Sequence, residues 1–346
     1  MNGMTREDEI NCDLRARSHF VLLGAGASRA ALPNGDRHGR QVPLLREVAE
    51  VMDLASDFPD DLAGLARDDF EAAYSEFADR GSDTSVVDEK VRSFFASLEI
   101  PDEPNLYDSL QLALRRKDLI FTFNWDPLLV QSRRRLLEHG VPDERLPRLH
   151  FLHGNTVIGS CDEHARMGLI GQRCDGCGAQ YVPSRLLYPV KHKNYQDGSF
   201  IEAEWATAKQ SLHASSIFTV FGYSAPTTDV EAIELLTEAW GDVETDRALD
   251  QVEIINRPGA DHDALRSTWD PFIHTHHYDI FEKFEDSWIA QHPRRTMEAF
   301  VHQYLEAQFI ENNPVPMDLP ELKDLIDWFG DLFDAEDRFL ANLDTP

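Results

Sequence analysis

What most constrains this chain is a set of short apolar runs that each stop abruptly on a glycine-rich or polar motif. SHFVLL runs into Gly24-Ala25-Gly26-Ala27-Ser28, DLIFT into Phe123-Asn124-Trp125-Asp126, IFTVF into Gly222-Tyr223-Ser224, and QVEII into Asn256-Arg257-Pro258-Gly259. A fifth, RLHF, runs into Leu152-His153-Gly154. Continuous apolar runs of this length suit strands covered on both faces, and the stretches between them repeat apolar residues at helical spacing. The expected fold is α/β, a Rossmann-like parallel sheet with helices on both faces. Ligands of such sheets bind beyond the carboxyl ends of the strands, so all five motifs belong to one place.

Between the first and second runs, residues 44–116 read as an inserted helical lobe, with LLREVAEVMDL, DDFEAAYSEFADR, VDEKVRSFFASL and NLYDSLQLALRR each carrying three- and four-residue apolar spacing. The main domain is expected to span residues 1–280. An acidic, aromatic helical segment, 281–346, follows. The net charge of −29, from 62 acidic and 33 basic residues, disfavours binding to a nucleic acid backbone. The Arg133-Arg134-Arg135 run is a local basic patch that could still touch phosphate. No apolar run is long enough to span a membrane, and the polar start MNGMTREDEINCD has no signal-peptide core, so the expectation is an intracellular, cytoplasmic protein.

Three of the four cysteines crowd into Cys161-x2-His164-x9-Cys174-x2-Cys177. Two such knuckles grip zinc tetrahedrally through thiolate and imidazole, and four protein ligands leave no open position for catalysis. A structural zinc module over 155–190 is therefore expected, with His164 standing where a fourth cysteine would be. Cys12 is too remote to join it. His274-Thr275-His276-His277 reads as an alternating strand-like run rather than a second metal site.

The other motifs have two readings each. Gly24-x-Gly26 permits backbone approach to a phosphate at a helix N-terminus, or simply a tight strand-to-helix turn. Asp126, ahead of Pro127, is a helix cap or a site carboxylate, which leaves Asn124 spare for function. His153 is a structural or a catalytic histidine, with a glycine after it that would leave access open.

In this order, GAGAS, TFNWD, FLHG with the Cys/His knuckles, FGYS and VEIIN resemble the sirtuin superfamily over roughly residues 18–260, excluding the lobe. The resemblance implies that Gly24, Ala25, Gly26 and Ser28 line the phosphates and ribose of NAD. It implies Asn124 and Asp126 in the nicotinamide pocket, His153 as base, Gly222 and Ser224 touching the cofactor, and Asn256 at the adenosine ribose. The chain departs from the protein deacylases of that family in two segments. AALPNGDRHGRQVPLL lacks their Phe-Arg, and SRLLYPVKHKNY lacks their acyl-peptide clamp. It thus resembles the bacterial branch that hydrolyses NAD in antiphage defence. That branch implies a homo-oligomer, sometimes with a separately encoded ATPase or phage-sensing partner. The alternatives are an NAD-dependent protein-lysine deacylase and a non-catalytic NAD or ADP-ribose sensor.

Overall fold

In the computed structural model, residues 3–164, 166–188, 200–225, 229–241, 250–274 and 276–343 are described. The five expected runs are strands: β1 (His19–Leu23), β2 (Leu119–Thr122), β3 (Arg148–Phe151), β7 (Ile217–Phe221) and β8 (Gln251–Ile255). Between β3 and β7 lie β4 (Ile158–Cys161), β5 (Arg166–Leu169) and β6 (Val182–Pro183), and β9 (Tyr278–Phe281) closes the series. One sheet runs in the order β3-β2-β1-β7-β8-β9, and every pairing in it is parallel. β9 is a sixth strand that the five motifs did not announce, because its residues are half-buried at the sheet edge and lack a continuous apolar run. It begins just after the His274–His277 run; Thr275 lies outside the described residues. His277 is buried against Tyr304, with ring centroids 5.2 Å apart.

Side chains alternate across the pleat, so β1 feeds two cores. Phe20 and Leu22 join Phe121, Trp205, Phe218 and Trp240 under helices Phe200–Ala214 and Val230–Trp240. Val21 and Leu23 face the other way, into a core shared with the inserted lobe. That lobe is helical, as its spacing predicts: Asp60–Asp68, Phe70–Asp79, Ser85–Ala96 and Leu106–Leu112 are its main helices. Among the described residues no helix is long and apolar enough to cross a membrane.

The residues after Phe281 pack on this chain's own sheet. Trp288, Met297 and Phe300 cover Ile217, while Leu325, Phe329 and Leu332 enter the lobe-side core. Arg294 and Arg295 are both buried and both pair with Glu336, at 2.7 and 2.9 Å. Arg294 also donates to the carbonyls of Leu112 and Leu114, tying the C-terminal helix Gly330–Leu343 to the end of the lobe.

A separate three-stranded antiparallel sheet, in the order β5-β4-β6, carries the cysteine segment.

Candidate active site

From β1 the chain builds outward to β2 and β3 on one side, then returns to β7, β8 and β9 on the other. The switch point therefore lies between β1 and β7, where loops diverge and a crevice opens. The glycines of both motifs meet there. Gly24 N–H donates to Phe221 O at 2.9 Å and Gly26 N–H to Gly222 O at 2.8 Å. A Cβ on Gly24 would sit 2.5 Å from Tyr223 Cα, and one on Gly26 2.8 Å from Gly222 Cα. Gly24-x-Gly26 is needed first for this loop-on-loop contact, whatever ligand lies above it.

A cleft of about 1460 Å³ opens at these strand ends. Gly24, Ala25, Gly26, Asn124, Asp126, His153, Gly222, Ser224 and Asn256 all line it. Ser28, the remaining residue assigned to the cofactor, does not. It is fully buried one helical turn behind, because Asp126, Asn124 and Tyr107 all bond to its hydroxyl. Residues 226–228, beyond Ser224, lie outside the described residues.

Both amide hydrogens of Asn124 are spent, on Gly24 O and Ser28 Oγ at 2.9 Å each, which leaves carbonyl Oδ1 as its acceptor for a ligand. Asp126 stands one residue ahead of Pro127, which is the N-cap of helix Leu128–Glu138, so it is not itself the cap. Its Oδ1 accepts from the Leu128 amide at 3.1 Å, and Oδ2 accepts from Ser28 at 2.7 Å. Burial pushes its carboxyl up to about 6, against hydrogen bonds that lower it. Asn256 Oδ1 accepts from the Arg257 amide at 2.8 Å.

His153 is buried at the cleft wall, its ring 4.5 Å from that of Phe123, which in turn lies 4.4 Å from Tyr223. The glycine after it does more than leave access open. Gly154 has φ +76°, and a Cβ there would lie 2.1 Å from Arg185 O, so the backbone crossing demands glycine.

Three supporting residues escaped the sequence reading. Asn155 donates to the Asp126 carbonyl at 2.7 Å, and its position directly after His153-Gly154 was a usable signal. Tyr223 donates to Asp229 Oδ2 at 2.9 Å. Tyr107 comes from the inserted lobe, where helical spacing makes it one more core residue.

Each arginine of the run is paired with a carboxylate. Arg133 pairs with Asp143, Arg134 with Glu138 and Arg135 with Asp108.

In the second sheet the ligand atoms of Cys161, His164, Cys174 and Cys177 all lie within 4.8 Å of one another. Cys161 Sγ is 3.6 Å from Cys177 Sγ and 3.7 Å from His164 Nδ1. Tetrahedral zinc with Zn–S of ~2.3 Å sets its sulfurs ~3.8 Å apart, so the four residues fit a closed structural site. Gly176 makes His164 possible: a Cβ there would lie 2.5 Å from the imidazole Cδ2. Cys12 is elsewhere, its thiol pushed up to about 12 by burial and by Glu298.

No family model matches the chain, and no curated protein matches it. Among solved structures it is similar to a Sir2 homologue variant in complex with ADP-ribose, at 17% identity over 70% of this chain and 81% of that one, with a TM-score of 0.33. A Sir2 homologue–NAD complex gives 15% identity over 87% and 93%, TM-score 0.34. Sir2 bound to acetylated peptide gives 14% over 87% and 96%, TM-score 0.36. These likenesses are loose, and the reading of the cleft rests on its own residues.

Proposed function

We propose that the cleft binds NAD and hydrolyses its nicotinamide–ribose bond, releasing nicotinamide and ADP-ribose. One observation carries this reading: Asn124, with both amide hydrogens fixed, offers Oδ1 at a parallel-sheet switch point whose cleft His153 also lines. NAD is the ligand bound in one similar structure and ADP-ribose in another.

The bond breaks with its electron pair leaving on the nicotinamide nitrogen, which is cationic beforehand and needs no general acid. Positive charge develops on the ribose, as in glycoside hydrolysis. Asn124 Oδ1 accepts from a ribose hydroxyl or from the attacking water and so holds the reacting partners in line. Water adds at the anomeric carbon, and His153 takes the proton lost. Asp126, which also lines the cleft, acts on Asn124 through Ser28, whose hydroxyl donates to its Oδ2. The zinc module, once loaded, would support the segment after His153 structurally.

Two departures favour hydrolysis over transfer to a peptide. The segment after Ala31 lacks the Phe-Arg of deacylases and instead folds around Asp36, which accepts from Arg40 and the amides of His38 and Arg40. Residues 184–188 are held by the lobe, through Arg92 to Ser184 O and Tyr188 OH to Asp88 O. The rest of the expected clamp region, 189–195, lies outside the described residues. We extend the reading to NAD depletion in antiphage defence by an oligomer under the control of a partner.

Purified protein incubated with NAD alone tests the activity, with nicotinamide and ADP-ribose followed over time. Turnover without peptide, lost in Asn124→Ala and His153→Ala, supports hydrolysis. Turnover only with acyl-lysine peptide establishes the deacylase instead, and binding without turnover establishes the sensor.

A further inference from the structure

We propose that Tyr107, supplied by the inserted lobe, is a positioning residue for Asn124, acting by directing the single proton of Ser28. The inference rests on the NAD-cleaving reading of Asn124.

Ser28 Oγ has one proton and two lone pairs. Three groups lie in range: Asp126 Oδ2 at 2.7 Å, Tyr107 OH at 2.7 Å and Asn124 Nδ2 at 2.9 Å. An ionised Asp126 can only accept, so the serine proton goes there. The Asn124 amide can only donate and fills one lone pair. Tyr107 must then donate into the other, and every site on Ser28 is used. That set of bonds has one polarity, and it holds the Asn124 amide face toward Gly24 and Ser28 with Oδ1 in the cleft.

The lobe fixes the tyrosine firmly. Helix Leu106–Leu112 is capped by Asn105, whose Oδ1 accepts from the Tyr107 amide at 2.8 Å. Asp108 on the same helix accepts from Ser132 Oγ at 2.7 Å and Arg135 Nε at 2.8 Å. Gln111 donates to Ser132 Oγ at 2.8 Å. Ser132 and Arg135 belong to helix Leu128–Glu138, which follows Asp126 directly. The two helices flanking the network are therefore clamped together. Burial first, then the charge of Asp126, holds the Tyr107 hydroxyl above its ordinary value, so it stays a donor.

Protonation of Asp126 breaks this arrangement. Its acid proton would compete for a serine lone pair already filled by Tyr107 or Asn124, and the asparagine loses its fixed orientation. Around Asp126 the facing groups are Ser28 from helix Ala25–Ala31, Tyr107 from the lobe, the Leu128 amide, and Asn155 on its carbonyl, with His153 lining the same cleft. Asp126, whose carboxyl is pushed up to about 6 by burial, contributes to the acid limb of the pH–rate profile alongside the base His153.

The test is Y107F, which deletes one hydroxyl and keeps the ring, in wild-type and S28A backgrounds. The expected result is a kcat about tenfold lower, with KM for NAD within about twofold. The acid limb moves to higher pH, because Ser28 stabilises the carboxylate less well. In S28A the second substitution has a much smaller effect, limited to the long 3.5 Å contact of Asn124 Nδ2 with Tyr107 OH. An unchanged kcat and acid limb in Y107F, or full additivity with S28A, overturns the proposal. If the wild type does not turn over NAD, the functional reading fails separately. The Asp126 carboxyl titration, followed by carbon NMR in folded wild type and Y107F, then decides: an upward shift supports the role of Tyr107 and an unchanged one overturns it.

Discussion

A methyl group on Gly222 would lie 2.2 Å from the amide nitrogen of Ala27, so the loops after β1 and β7 touch backbone to backbone. Gly222 also has φ +63°, which only glycine adopts without cost. Gly222→Ala is expected to lose about 2 kcal/mol or more of stability. It should also weaken NAD binding, because the loops would separate at the floor of the cleft. Denaturant unfolding and NAD titration check both effects.

The zinc cluster makes a prediction about ligands. About one zinc per chain is expected in the purified protein, falling with lower stability in Cys174→Ser. His164→Cys should retain metal, since thiolate replaces imidazole in such sites. Gly176→Val should lose it, because the added side chain falls on the His164 ring. Metal analysis with thermal melting distinguishes these, and full zinc in Gly176→Val would show that His164 is not a ligand.

Glu253 on β8 is buried between Thr219 Oγ1, at 2.7 Å, and the Trp288 amide. Burial pushes its carboxyl up to about 7 from an ordinary 4.5. The native state therefore holds this proton more tightly than the unfolded chain. The stability it provides is present below the unfolded value and lost as pH rises through about 7. Glu253→Gln should be more stable than wild type at pH 8, by of the order of 2 kcal/mol, with the advantage gone near pH 4. Melting curves across that range check it, and an equal gain at both ends would contradict it.

Glu336 is the carboxylate shared by two buried arginines from the turn ahead of helix Thr296–Phe300. Glu336→Ala leaves Arg294 and Arg295 buried without that partner and should cost about 3–5 kcal/mol. Removing residues 330–343 should abolish folding for the same reason, measured by circular dichroism and hydrogen exchange.

Much of this architecture is legible in the amino-acid sequence. The strand–motif pairs place β1, β2, β3, β7 and β8, because apolar runs buried on both faces leave an unbroken mark in the residues. The knuckle spacing finds all four zinc-type ligands, because those residues are close along the chain and two turns suffice to gather them. β9 was missed, since an edge strand alternates weakly.

What the residues determined alone is local: which segments are strands, where each stops, and which polar groups stand at their ends. Which groups share a proton was decided only by the tertiary structure. Ser28 reads as a cofactor contact until it is seen behind the cleft, and Tyr107 reads as core until its hydroxyl is seen on Ser28, 79 residues away in sequence. The same holds for Gly24 and Gly26, which answer first to Tyr223 and Gly222 in the loop after β7, far along the chain. Such demands arise from contacts between distant segments, and a contact made only on folding leaves no periodic trace in either segment alone.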